Sequence, residues 1–101
     1  MKNSRTGKKS EDGMGKTSEN MQPFGRIETA KDIGQAVRRK RKEQGVLQEK
    51  AAGLSGVGTK FLSQLENGKE TAEIGKILQV LRTLGLEIYI FPRSQNPFKD
   101  Q

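Results

Sequence analysis

The stretch Gln48–Asn67, QEKAAGLSGVGTKFLSQLEN, constrains this chain more than any other. Two short helix-forming runs are separated only by a Gly-Val-Gly step at 56–58, which leaves space for a tight turn and nothing longer. Ala52 is small where two crossing helices must approach closely. Gly56, four residues on, supplies the left-handed backbone that such a turn needs. A chain organised around this stretch is a cluster of short helices.

The flanking sequence extends the pattern. Thr29-Ala30-Lys31-Asp32 has the form of a capping box, so helix 1 is predicted from Ala30 to Gln44, with Gly45 as its stop. Ile33, Val37 and Arg41 share its inner face. The run Arg38–Lys42 (RRKRK) wraps more than one turn, so Arg39 and Lys40 read equally well as a solvated face, whereas Arg38, Arg41 and Lys42 end a helix that abuts the next motif. Their charges also complement the negative end of helix 1. Helix 2 starts near Gln48, and helix 3 spans Thr59–Glu66, closed by Asn67-Gly68. Val57, Leu62 and Leu65 form the inner side of helix 3 against Ala51 and Leu54, with Phe61 adding bulk. Thr59, Lys60, Ser63 and Gln64 are left on the outer face, and these side chains hydrogen-bond to base edges and phosphates. Helix 4 is predicted after Thr71 and before Gly85, with Ile74, Ile77, Leu78 and Leu81 as a buried stripe that Leu84 extends.

Leu86–Phe91 (LEIYIF) is β-branched and aromatic, ends at Pro92, and reads as a strand, with Leu86, Ile88 and Ile90 as its apolar residues. The chain offers no second strand, and a lone strand leaves its backbone groups unpaired. Two arrangements answer this: pairing with the same strand of a second copy around a two-fold axis, or an extended segment lying on helix 4.

Composition sets the limits. Of 101 residues only 31% are hydrophobic, too few for the whole chain to share one core, so a folded unit of roughly 60–70 residues with loose flanks is expected. The predicted division is a disordered basic arm over 1–25, a helical domain over 26–85, a strand over 86–92 and a flexible tail over 93–101. In the arm, Gly15-Lys16-Thr17 resembles the end of a phosphate-binding loop, but Ser10 stands where that loop needs glycine and no strand precedes it. The net charge of +7 favours an anionic partner. Cys and His are both absent, which removes disulfides, thiolate chemistry and imidazole catalysis and argues against a zinc site. No catalytic residue, metal site, cofactor or small-molecule substrate is expected. No apolar run approaches a membrane span or a signal peptide, so the expected location is the cytoplasm, at the nucleoid.

Gln48–Asn67 resembles the helix-turn-helix of the Xre/Cro family of bacterial and phage repressors. The resemblance runs from helix 1 through helix 4 and includes Gly45, Gln48-Glu49, Ala52, Gly56-Val57, Leu62, Leu65 and Glu66-Asn67-Gly68-Lys69. It implies an all-α, lambda-repressor-like four-helix DNA-binding domain. By position it makes Thr59, Lys60 and Gln64 base readers, with Ser63 beside them. Gln48, Asn67 and Lys69 match phosphate contacts, to which the basic end of helix 1 adds Arg38. Arg41 and Glu66 match a partly buried ion pair joining helices 1 and 3. Asp32–Pro92, four helices and then one strand, is similar to HipB-type antitoxins. Those are dimers whose C-terminal strands pair between subunits, which repress their own operons and neutralise a HipA-type kinase toxin. The implied partners are therefore double-stranded DNA with a palindromic operator, a second copy of the chain, and such a kinase. Phe98 is the candidate for the aromatic that docks into the toxin in that group. Several positions depart from the family pattern: Leu47 where a capping hydroxyl is usual, Gly53 inside helix 2, Gly58 before helix 3, and Ala51 for a usual Leu.

Three functions compete on this reading: a dimeric repressor that is also an antitoxin, a stand-alone Xre-type regulator without a toxin, and a scaffold that binds protein through the same groove. The polar face of helix 3 and the basic end of helix 1 argue against the scaffold.

Overall fold

The computed structural model describes residues 22–98. Most of the arm predicted over 1–25 therefore lies outside the described residues, as does its loop-like Gly15-Lys16-Thr17. Four α-helices follow one another: α1 (Ala30–Glu43), α2 (Gln48–Ser55), α3 (Thr59–Glu66) and α4 (Ile74–Thr83), with a single 3-10 turn at Arg93–Gln95. This is the all-α, four-helix architecture predicted from the sequence. α3 packs against both α1 and α2, and α2 packs in turn on α4. None of the described helices is long and apolar enough to cross a membrane.

α1 begins where its cap dictates. The Thr29 hydroxyl accepts from the Asp32 amide at 3.1 Å, and the Asp32 carboxylate accepts from the amides of Thr29 at 3.0 Å and Glu28 at 2.9 Å. The amide of Glu28, against desolvation and with further help from Thr29, holds the Asp32 carboxyl below its ordinary range. By contrast α2, α3 and α4 start at Leu47, Gly58 and Glu73 with no side-chain cap.

All four helices end alike. The amides of Val46, Val57, Lys69 and Leu86 donate back five residues, to the carbonyls of Arg41, Ala52, Gln64 and Leu81, over 2.8–3.1 Å. This closure places the preceding residue in the left-handed region. At Gly56, with φ of 73°, it turns α2 into α3 within three residues. At Gly68, with φ of 85°, the backbone also comes within 3.1 Å of the Lys31 Cα, measured from where a β-carbon would stand. A second close approach is at Gly34, buried inside α1, where a β-carbon would overlap the Leu65 carbonyl oxygen.

The core comprises Val37, Ala51, Ala52, Leu62, Leu65, Ile77, Val80, Leu81 and Leu84, flanked by Ile33, Val46, Val57, Phe61, Ala72 and Leu86. Two sequence expectations are corrected. Leu54 is 63% exposed instead of facing α3, because α2 meets its neighbours through Ala51, Ala52 and Ser55. On α4 the buried stripe is Ile77, Val80, Leu81 and Leu84, while Ile74 and Leu78 are exposed. Both sets have the same i, i+3, i+4, i+7 spacing, and the crossing with α2 selects the one nearer the C-terminus.

The predicted boundary at residue 25 also shifts. Phe24, half-buried, lies under the Arg39 guanidinium, whose carbon is 3.7 Å from the ring centroid, and Arg39 also donates to the Phe24 carbonyl. A lone aromatic in a polar arm thus finds a cationic platform on α1 and joins the folded unit. At the other end, Leu86 packs on the core, and the Gln44 amide bonds the Leu84 carbonyl at 3.0 Å. Leu86–Phe91 forms neither helix nor strand within the single described chain, and Ile88, Tyr89, Ile90 and Phe91 are exposed.

Candidate nucleic-acid interface

α3 presents two unlike faces. Leu62 and Leu65 are fully buried, and they fix which way the helix turns. The opposite face then falls to Thr59 and Lys60, both exposed, and to Ser63 and Gln64, which are half-buried one turn later. At about 1.5 Å per residue, the eight residues of α3 make a rod roughly 12 Å long, which the major groove of B-DNA can admit. α2 joins this rod through the Gly56 turn and packs against it.

Behind the exposed face sits a buried polar cluster. Arg41 of α1 grips Glu66 of α3 with two bonds, Nε to Oε2 at 2.7 Å and Nη2 to Oε1 at 2.9 Å. Its remaining nitrogen donates to the Val46 carbonyl at 2.7 Å. Gln48, the first residue of α2, adds a third bond to the carboxylate, Nε2 to Oε1 at 3.0 Å. One carboxylate therefore ties three helices together at the point where α3 must be aimed. Burial pushes the Glu66 carboxyl up, but the hydrogen bonds from Arg41 and Gln48 and the charges of Arg41 and Arg38 outweigh it, and the group ends below its ordinary range. The bond to Glu66 raises Arg41 correspondingly.

The other candidate side chains lie around this frame. Gln48 is half-buried with its amide nitrogen turned to Glu66, so a phosphate at the start of α2 would meet backbone amides and the remaining amide hydrogen. Asn67 donates to the Ser63 carbonyl at 2.8 Å and closes α3. Lys69 reaches back to the Gln64 carbonyl oxygen, Nζ to Oε1 at 3.2 Å. Arg38 is exposed on α1, and its charge is felt at Glu66. Among the described residues no group of His, Cys, Asp and Glu is placed to hold a metal ion.

Sequence reasoning did not reveal the Gln48–Glu66 and Lys69–Gln64 bonds. The first had a signal in the sequence, a long amide at a helix start facing a buried acid. The second joins two residues read separately as base and phosphate contacts.

A tight pair of short helices, the second with a polar outer face and a buried ionic brace behind it, defines a DNA-binding helix-turn-helix domain. Residues 37–91 match the Helix-turn-helix family model HTH_3, and the chain belongs to that family. It is an Xre-type helix-turn-helix transcriptional regulator, a DNA-binding class. It is 57% identical over 65 residues to the uncharacterized HTH-type transcriptional regulator y4mF of Sinorhizobium fredii, a match covering 64% of this chain and 86% of that protein. HipB in a HipA-HipB-O2-O3 complex superposes with a TM-score of 0.62 at 19% identity, over 66% of this chain and 94% of that one. The restriction-modification controller protein C.AhdI of Aeromonas hydrophila does so with a TM-score of 0.53 at 29% identity, over 57% and 84%.

Proposed function

We propose that this chain is a sequence-specific repressor that binds a palindromic operator as a homodimer. In this reading Thr59, Lys60, Ser63 and Gln64 read bases, while Gln48, Asn67, Lys69 and Arg38 hold phosphates. The observation that carries it is the outer face of α3, wholly polar and free of carboxylate, backed by the buried Arg41–Glu66–Gln48 cluster that fixes its aim. Dimerisation is assigned to Leu86, Ile88 and Ile90, paired with the same segment of a second copy. Support comes from the exposure of Ile88 and Ile90 (47% and 92%) on a segment that pairs with no strand among the described residues. Footprinting on the upstream region of its own gene should show two protected half-sites about one helical turn apart. Protection without dyad symmetry would eliminate the dimer.

The same fold serves HipB, which supports a further role as a HipB-type antitoxin that autoregulates its operon and engages a HipA-type kinase. The exposed Tyr89 and Phe91, and Phe98 edge-on to Phe91 at 6.5 Å, offer an aromatic surface for such a partner. The second reading is a stand-alone Xre-type regulator, and the y4mF relative is named only as a transcriptional regulator. Purification of the chain at native level separates the two: a kinase recovered in stoichiometric amount supports the antitoxin, and the chain alone supports the solitary regulator. The proposed site of action is the nucleoid.

A further inference from the structure

We infer that Gln64 acts on the reading face of α3 as a donor, and that at its position the chain selects guanine and thymine edges over adenine and cytosine. This rests on the assignment of that face to the major groove. The one carboxylate of α3, Glu66, is only 7% exposed and is engaged by Arg41 and Gln48, so it does not accept from a cytosine amino group. The face carries one amide, Gln64, whose full use would be a bidentate pair with adenine, oxygen accepting from N6 and nitrogen donating to N7. In this chain the oxygen already accepts from the Lys69 ammonium at 3.2 Å. An adenine amino group approaching the same oxygen would bring its hydrogens against a positive charge. At Gln64 what remains is its NH2 group, which donates, beside the Lys60 ammonium, which can only donate; the Thr59 and Ser63 hydroxyls can do either and set no polarity. Guanine offers N7 and O6 to such donors, and thymine offers O4 together with a methyl group that the Thr59 methyl can meet. Lys69 thus has a second task besides any phosphate contact. It is a positioning residue that sets the polarity of Gln64.

Selection from a randomised duplex library tests this with three proteins: wild type, Gln64→Ala and Lys69→Ala, each checked for helical content. Wild type should enrich half-sites with guanine or thymine at the position whose preference Gln64→Ala erases. Where guanine is the enriched base, methylation of its N7 should block binding. Lys69→Ala frees the Gln64 oxygen, and adenine should rise at that one position by ten-fold or more, about the loss of one bidentate discrimination, with the other positions unchanged. Adenine at the Gln64-dependent position in the wild-type selection, or a preference there that Lys69→Ala leaves untouched, would overturn the inference while leaving DNA reading intact. No enriched motif from wild type would overturn both.

Discussion

Glu66 shows how a single residue positions a helix. Its carboxylate holds α1 and the start of α2 against α3 through three hydrogen bonds, and it is nearly out of solvent. Glu66→Gln keeps the shape but leaves Arg41 buried without its charge partner, a change that costs roughly 3 kcal/mol. Because the folded Glu66 carboxyl lies below its ordinary value of 4.5, its contribution is fully present above that pH and is lost as pH falls through the folded value. Asp32, held below 3.8 at the cap of α1, acts in the same direction. Urea unfolding at a series of pH values should therefore show wild-type stability falling below about pH 4.5. Glu66→Gln should start lower and fall less. An equal slope in both proteins would mean that another carboxylate governs the acid limb. Arg38 permits a complementary test. If it holds one phosphate, Arg38→Ala should reduce the slope of log K against log salt by about 0.9, with base preference unchanged. An unaltered slope would place Arg38 off the DNA.

Among the elements, α2 is the weak one, and its weakness is local. It starts at Leu47, which is 73% exposed and offers no cap, and it carries Gly53, where a β-carbon would meet nothing within 4 Å. Leu47→Ser should stabilise the fold by about 1 kcal/mol by supplying a hydroxyl to the free amides. Gly53→Ala should add roughly 0.5–1 kcal/mol by lowering the entropy lost on folding. Both are read as a shift in thermal midpoint, and a decrease for Gly53→Ala would mean that this turn needs glycine for another reason. These two departures were visible in the sequence because capping and glycine effects are local. The burial of α4 was not. Ile74/Ile77/Leu78/Leu81 and Ile77/Val80/Leu81/Leu84 satisfy the helical period equally, and only the crossing with α2 distinguishes them. Leu54 misled for the same reason: this eight-residue helix buries its small side chains, Ala51, Ala52 and Ser55, and leaves the large one out. Gly34 and Phe24 carried no signal of their own, since each acquires its role from a residue distant in sequence, Leu65 and Arg39. The polar face of α3, in contrast, could be read directly, because in a short helix between two glycine turns the apolar residues leave little choice of side.

For the whole molecule, the chain divides its surface by chemistry. α1 carries exposed basic side chains such as Arg38, and the outer face of α3 carries Lys60 and the Gln64 amide. The segment after α4 carries exposed Ile88, Tyr89, Ile90 and Phe91. Leu86, besides its place in the proposed pairing, also holds the fold, since its amide closes α4 and its side chain packs on the core, so a truncation that respects the domain begins at Glu87. Sedimentation of a chain lacking Glu87–Gln101 should show a monomer where the full chain is a dimer, with helical content unchanged. A dimer of unchanged strength would place the contact elsewhere, for instance on the exposed Ile74 and Leu78 of α4.

The central claim is that the outer face of α3 reads sequence. Anisotropy titrations at one salt concentration test it most directly, comparing wild type with a variant in which Thr59, Lys60, Ser63 and Gln64 are all alanine. Each protein is titrated on a selected site and on random duplex. The specific-to-random affinity ratio, expected at about a thousand-fold or more for wild type, should collapse toward one in the variant. Affinity for random DNA should fall far less, because the phosphate contacts remain. A ratio that survives the four substitutions would contradict the assignment of α3 as the reading helix.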